Sequence, residues 1–142
     1  MTLGLKKSIP AYLAINMAEQ KKILVVDDES EVLEFIKVTL EKFGYSFLGA
    51  ENAELGYQQM EKNHPDLALL DVMLPDTDGI SLCRRIKANP QMKNIPVLII
   101  TSLMDPKTIQ EAYLSGAYGY VSKPFDEEQL KNKISKALDL NP

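Results

Sequence analysis

Short runs of apolar residues, each followed by turn-forming or acidic residues, constrain the fold of this chain most strongly. The run Leu67-Ala68-Leu69-Leu70 ends at Asp71, and a loop rich in Pro, Asp and Gly follows it. Strands that are apolar throughout, rather than at alternate positions, are typical of parallel sheets that are covered on both faces. We expect five such strands, at residues 22–27, 45–50, 67–71, 95–101 and 117–121.

Between these runs, apolar residues recur every three or four positions, which predicts amphipathic helices. Alternating strands and helices indicate an α/β fold. We predict a flavodoxin-like, doubly wound sheet of five parallel strands in the order 2-1-3-4-5, with five helices. Ser30 and Asn52 are expected to cap the first two helices, and the third helix is expected at residues 80–88. The fourth should run from the cap and first-turn pair Asp105-Pro106 to about Leu114, and the last should begin at Asp126.

The composition limits the functions that the chain can have. With 142 residues, it is long enough for one domain with a substantial core. Its net charge of −4 argues against a general nucleic-acid-binding surface, and no stretch has the roughly 18 apolar residues that a membrane span requires. A single cysteine, Cys83, excludes an internal disulfide and suits a reducing compartment, so we expect a cytoplasmic protein.

Residues 1–20 are expected to be an N-terminal extension, either flexible or containing a short helix from Ala11 to Gln20. The apolar stretch after Lys6-Lys7 has only a weak likeness to a signal peptide, because it is short and Pro10 interrupts it. We expect the folded domain to occupy residues 21–142, either as a stand-alone protein or as part of a longer one.

Polar residues stand at the ends of four of the expected strands. In the order 2-1-3-4-5, the carboxyl ends of strands one, three, four and five lie side by side, where ligands bind in open α/β sheets. This edge would bring together the carboxylates of Asp27, Asp28 and Asp71, the Thr101 hydroxyl and the Lys123 ammonium. Ionised carboxylates so close together repel one another, and Mg²⁺, which prefers oxygen ligands, would relieve the repulsion.

Such a site suits a phosphoryl group, because phosphoryl transfer depends on cations and hydrogen-bond donors facing the phosphate oxygens. Asp71, in the middle of the edge, is the expected nucleophile and would form an aspartyl phosphate. We expect Asp27 and Asp28 to hold the metal, and Lys123 and Thr101 to hold phosphate oxygens.

Five pieces of the sequence follow one another in a characteristic order: Asp27-Asp28, the run Asp71-x-x-x-Pro75-x-x-x-Gly79, Thr101-Ser102, Tyr120 and Lys123-Pro124-Phe125. No single piece is decisive, but together, in this order and spacing, they are highly specific. Through these residues the chain resembles, over about residues 21–140, the receiver domains of bacterial two-component response regulators, such as chemotaxis regulators.

The resemblance implies that Asp71 takes a phosphoryl group from a phosphohistidine of a sensor histidine kinase or phosphotransfer protein, in a Mg²⁺-dependent reaction. It implies that the main-chain carbonyl of Met73 is a further metal ligand and that the Lys123–Pro124 bond is cis. It also implies a switch in which Thr101 moves toward the phosphate and Tyr120 turns inward. The changed surface of the fourth helix, fifth strand and last helix would then meet a downstream protein target. Such a chain is a phosphoacceptor rather than an enzyme and contacts neither nucleic acid nor membrane.

Two alternatives stay open from the sequence. One is a protein-interaction module of the same fold that works without phosphorylation. The other is an aspartyl-phosphate phosphatase of the haloacid-dehalogenase type, which needs a second acid two residues after the nucleophile, where this chain has Met73.

Overall fold

The structure, a computed structural model, describes residues 20–139. This range forms five parallel strands in the order β2-β1-β3-β4-β5, with five helices, and confirms the predicted flavodoxin-like fold. The strands are β1 (Lys22–Val26), β2 (Ser46–Ala50), β3 (Leu67–Asp71), β4 (Val97–Thr101) and β5 (Gly119–Ser122). The helices are α1 (Ser30–Lys42), α2 (Ala53–Asn63), α3 (Gly79–Ala88), α4 (Pro106–Leu114) and α5 (Glu127–Asp139). The predicted N-terminal extension lies outside the described residues, except for Gln20.

Both faces of the sheet are covered, as expected for strands that are apolar throughout. Every residue of β3 and β4 is buried, and β2, at one edge of the sheet, is mostly half-buried. On one face, β1 places Ile23 and Val25 against α1 and α5. On the other face, Leu24 and Val26 belong to the core formed with α2, α3 and α4. The two cores hold the sheet between two helical layers, and its carboxyl edge is left free for the site.

Side-chain caps fix the starts of four helices. The predicted caps of α2 and α4 are confirmed, because Asn52 accepts a hydrogen bond from the Leu55 N–H and Asp105 accepts one from the Thr108 N–H. Asp76, in the loop after β3, also accepts hydrogen bonds from the first two N–H groups of α2 (2.9 Å each). The loop that follows Asp71 is thereby tied to the neighbouring helix.

Several element ends differ from the predictions, and three of the differences have a clear physical reason. β4 begins at Val97 rather than at Ile95, whose N–H is still bonded to Met92 in the preceding turn. β5 begins at Gly119 rather than at Ala117, whose N–H closes the end of α4 by bonding the Ala112 carbonyl. Ser30 does not cap α1. It is the first helical residue, and the N-cap position belongs to Glu29.

Two further features of residues 20–139 bear on function. Cys83 is buried in the core beside α4, where its thiol lies 3.6 Å from the Ser115 carbonyl oxygen, so packing accounts for it. Within this part of the chain, no helix combines the length and the apolar character that crossing a bilayer requires.

Candidate functional site

The predicted site residues converge at the carboxyl edge of the sheet. Asp71 and Thr101 are the last residues of β3 and β4, Asp27 directly follows β1, and Lys123 directly follows β5. Because β1, β3, β4 and β5 are successive neighbours, their ends lie side by side. The Lys123–Pro124 peptide bond, which follows β5, is cis, as the resemblance implies.

Lys123 joins the carboxylates into one cluster. Its Nζ lies 2.9 Å from Asp27 Oδ2 and 3.1 Å from Asp71 Oδ2. Asp27 is fully buried and Asp71 is 4% exposed, while the Lys123 side chain is 15% exposed. In these surroundings the charges are weakly screened by water, so the ion pairs hold the three side chains together firmly.

Burial and neighbouring charges change the acidity of Asp71 and Lys123. The pKa of Asp71 is raised, because burial and the negative charge of Asp27 outweigh the opposing effect of Lys123. Burial alone would lower the pKa of Lys123, but the attraction of Asp27 and Asp71 outweighs it and holds the pKa above its usual range. The ammonium therefore stays charged at any physiological pH.

Glu29 also belongs to the cluster, and the sequence predictions missed it. Its Oε1 lies 3.2 Å from Lys123 Nζ, and its backbone N–H donates to Asp27 Oδ1 at 2.9 Å. Three consecutive acids, Asp27-Asp28-Glu29, were the available signal.

The cluster has the ligands that a divalent cation requires. Asp27, Asp28, Glu29 and Asp71 each offer a carboxylate oxygen, and these oxygens lie within 4.8 Å of one another. Asp27 Oδ2 is buried and, although it is close to the ammonium, accepts no well-aligned hydrogen bond. A buried oxygen with spare acceptor capacity, among several carboxylates, fits a hard cation such as Mg²⁺.

The Met73 backbone lies next to this cluster, although the residue is largely exposed to solvent. Its N–H donates to Asp71 Oδ1 at 3.3 Å, and the residue is 64% exposed. The loop after β3 therefore follows the Asp71 carboxylate closely enough for backbone groups to take part in the site.

Thr101 and Tyr120 lie near the cluster in the fold, but the described contacts of their side chains are with residues outside it. The buried Thr101 hydroxyl accepts a hydrogen bond from the Leu103 N–H at 2.7 Å and makes a long 3.4 Å contact to the Leu103 carbonyl. The Thr101 hydroxyl hydrogen therefore makes only a weak hydrogen bond. The half-buried Tyr120 ring packs edge-on against Tyr113, with 6.2 Å between the ring centroids, and Lys133 Nζ lies 5.2 Å from the centre of the Tyr120 ring.

Comparison with known proteins places this geometry in a family. The family model described as the response regulator receiver domain matches residues 23–135. The phosphate regulon transcriptional regulatory protein PhoB of Pseudomonas aeruginosa is 38% identical over 118 residues, which cover 83% of this chain and 52% of that protein. The chain thus spans about half the length of the curated relatives it matches.

Solved structures show the same fold over nearly their whole length. A two-component response regulator from Clostridium difficile superimposes with a TM-score of 0.81 at 31% identity, covering 87% of this chain and 100% of that one. The chemotaxis protein CheY4 of Vibrio cholerae gives a TM-score of 0.81 at 28% identity, covering 84% and 99%. Sequence, fold and an acidic cluster at the carboxyl edge of the sheet agree, and the chain belongs to the receiver domains of two-component response regulators.

Proposed function

We propose that this receiver domain accepts a phosphoryl group on Asp71 from a phosphohistidine of a sensor histidine kinase or phosphotransfer protein. The observation that carries the proposal is the Lys123 ammonium, 3.1 Å from Asp71 Oδ2 and held there by a second buried carboxylate. A cation fixed at this distance can stabilise the charge on a phosphoryl group without first having to reorganise.

In the proposed reaction, an Asp71 carboxylate oxygen forms a bond to phosphorus while the bond from phosphorus to the imidazole nitrogen breaks. The electron pair of that bond stays on the imidazole, which takes up a proton from solvent. Mg²⁺, held by Asp27, Asp28, Asp71 and the main-chain carbonyl of Met73, would supply further positive charge to the phosphoryl oxygens.

Two chain groups have defined tasks in this reaction. Lys123, which burial and carboxylates hold as an ammonium, pairs with the phosphoryl oxygens. Thr101 donates its hydroxyl hydrogen to another phosphoryl oxygen, because its present 3.4 Å contact to the Leu103 carbonyl is easily exchanged.

The same exchange would start the switch. When the Thr101 side chain moves toward the phosphate, Tyr120 can turn into the space that it leaves. This movement would break the packing of Tyr120 against Tyr113 and Lys133, and so change the surface of α4, β5 and α5. A downstream protein that binds the altered surface better would then read the signal.

Receiver domains are in general not classical enzymes. We infer that this one assists its own phosphorylation and dephosphorylation, works in the cytoplasm and passes its signal to a protein rather than directly to nucleic acid. The transcriptional roles named for its relatives belong to proteins about twice as long as the matched segment.

Intact-mass spectrometry after incubation with acetyl phosphate and Mg²⁺ tests the proposal. The wild-type chain should gain the mass of one phosphoryl group, and chelating Mg²⁺ should abolish the gain. Asp71→Asn should gain nothing, whereas Asp139→Asn, which removes an exposed carboxylate far along α5, should behave as wild type. A wild-type chain that gains no mass under donor excess would overturn the proposal and favour the phosphorylation-independent interaction module.

A further inference from the structure

The Glu29 side chain does not cap the helix that it precedes. It occupies the N-cap position of α1, yet its side chain makes no capping hydrogen bond. Ser, Thr, Asp and Asn are preferred at this position because their short side chains reach the free N–H groups of the first turn. Helix formation therefore does not explain why a glutamate stands here.

The Glu29 side chain turns toward the carboxylate cluster instead. Its Oε1 lies 3.2 Å from Lys123 Nζ, and the side chain is 62% exposed, whereas the other two partners of the ammonium, Asp27 and Asp71, are buried. The Glu29 N–H also donates to Asp27 Oδ1 at 2.9 Å. Glu29 thus borders the cluster on the side that faces solvent, from which a cation would enter.

The cluster has more negative than positive charge. Four carboxylates lie within 4.8 Å of one another, and one ammonium contacts three of them. Asp27 Oδ2 is buried among these carboxylates and accepts no aligned hydrogen bond, so it can still bind a cation. A fourth carboxylate at the rim adds to the field that attracts a divalent cation.

We propose that Glu29 belongs to the cation site and strengthens divalent-cation binding by its charge at the rim of the cluster. The inference rests on the proposed function in one respect, since it takes Asp27, Asp28 and Asp71 as the residues that bind Mg²⁺.

Isothermal titration of the full chain with MgCl₂ at low salt tests this inference directly. Glu29→Gln keeps the shape of the side chain and removes its charge, and we expect Mg²⁺ to bind about threefold to tenfold more weakly. Glu34→Gln is the matched control, because Glu34 is exposed on the same helix and outside the cluster. Its dissociation constant should stay within about twofold of wild type, since exposed charges at a distance are screened.

The increase in Tm on adding Mg²⁺ gives a second readout that does not depend on phosphorylation. It should be smaller in Glu29→Gln than in Glu34→Gln. The inference is overturned if Glu29→Gln binds Mg²⁺ as tightly as Glu34→Gln, or if Mg²⁺ raises the Tm of the two variants equally.

Failure of this inference differs visibly from failure of the proposed function. If Glu29→Gln binds Mg²⁺ normally while the wild-type chain gains a phosphoryl group on Asp71, only the role of Glu29 is wrong. If the wild-type chain gains no phosphoryl group but Glu29→Gln still weakens Mg²⁺ binding, the role of Glu29 is supported and the phosphoacceptor proposal is wrong.

Discussion

Two helices, α1 and α3, begin beside the carboxylate cluster, and they begin in different ways. At α3, the N-cap residue Asp78 accepts hydrogen bonds from the N–H and the hydroxyl of Ser81, at 2.7 and 2.8 Å. At α1, the N-cap residue Glu29 makes no such bond and directs its carboxylate to Lys123. Both helices follow strands that end in the cluster, so the difference does not come from their place in the fold.

The other helices follow the pattern of α3. Asn52 and Asp105 cap α2 and α4, and at α5 Asp126 and Gln129 exchange hydrogen bonds in a capping box. Among the five helices in residues 20–139, α1 is alone in lacking a side-chain cap. Since local rules tend to be broken at functional sites, we infer that the start of α1 gives up some stability for the cluster.

The largest effect is expected at the start of α3, from Gly79→Ala. A Cβ at this position would overlap the carbonyl oxygen of Asp71 and lie 2.8 Å from its carbonyl carbon, and neither atom can move without shifting β3. We expect a loss of about 3 kcal/mol in the free energy of unfolding, as for overpacked cores, and a displaced Asp71 that gains phosphoryl mass more slowly. Urea denaturation measures the first effect and intact mass the second.

Gly119→Ala is the matched control for this prediction. A Cβ at Gly119, in β5, would make an ordinary contact of 3.5 Å with a methyl group of Leu98. It should change the free energy of unfolding much less. If the two substitutions have equal effects on the free energy of unfolding, the close approach of Gly79 to the Asp71 carbonyl is not what makes an added Cβ destabilising.

A smaller effect is expected when the cap of α3 is removed. Asp78→Ala should lower the free energy of unfolding by about 1 kcal/mol, as for other lost caps, and the Tm by about 3–6 °C. Mg²⁺ affinity should stay as in wild type, because Asp78 lies outside the four-carboxylate cluster. A clear loss of Mg²⁺ affinity would show that the start of α3 also contributes to cation binding, so that the starts of α1 and α3 do not have separate roles.

The pH dependence of this variant sharpens the prediction. Burial acts to raise the pKa of Asp78, but hydrogen bonds from Ser81 outweigh it, so the pKa lies below the ordinary value of 3.8. A carboxyl with a lowered pKa stabilises the fold above its unfolded pKa and loses this contribution as pH falls through its folded pKa. The difference in Tm between wild type and Asp78→Ala should therefore be complete at neutral pH and shrink below about pH 4.

The sequence predicted those features that depend on local chemistry and periodicity. Apolar runs gave the five strands, strand order followed from the rules for parallel sheets, and the caps Asn52 and Asp105 are short polar residues before apolar repeats. The meeting of Asp27, Asp71 and Lys123 followed because strand ends share an edge. The predicted roles of Thr101, Tyr120 and Met73 stay predictions, since they concern a phosphorylated or metal-bound state.

Features that depend on distant partners could not be predicted in this way. Ser30 has the chemistry of an N-cap, but the Glu29 N–H bonds Asp27 and its side chain is drawn to Lys123, which lies 94 residues further along the chain. The predicted start of β5 lies two residues before the observed one, because the Ala117 N–H closes the end of α4. In both cases a backbone or side-chain group already had a partner that the local pattern does not reveal.

The smallest effect, and the one of opposite sign, is expected from Glu29→Asn. Asparagine is among the best N-cap residues and is too short to reach Lys123, so α1 should gain the cap that it lacks. With Mg²⁺ chelated, the free energy of unfolding should rise by up to about 1 kcal/mol, while titration should show weaker Mg²⁺ binding. Glu34→Asn, at an exposed position inside the same helix, should not raise the free energy of unfolding and should leave Mg²⁺ binding as in wild type. If Glu29→Asn lowers the stability of the metal-free chain, the ion pair with Lys123 stabilises α1 more than a cap would, and the start of α1 has given up nothing for the site.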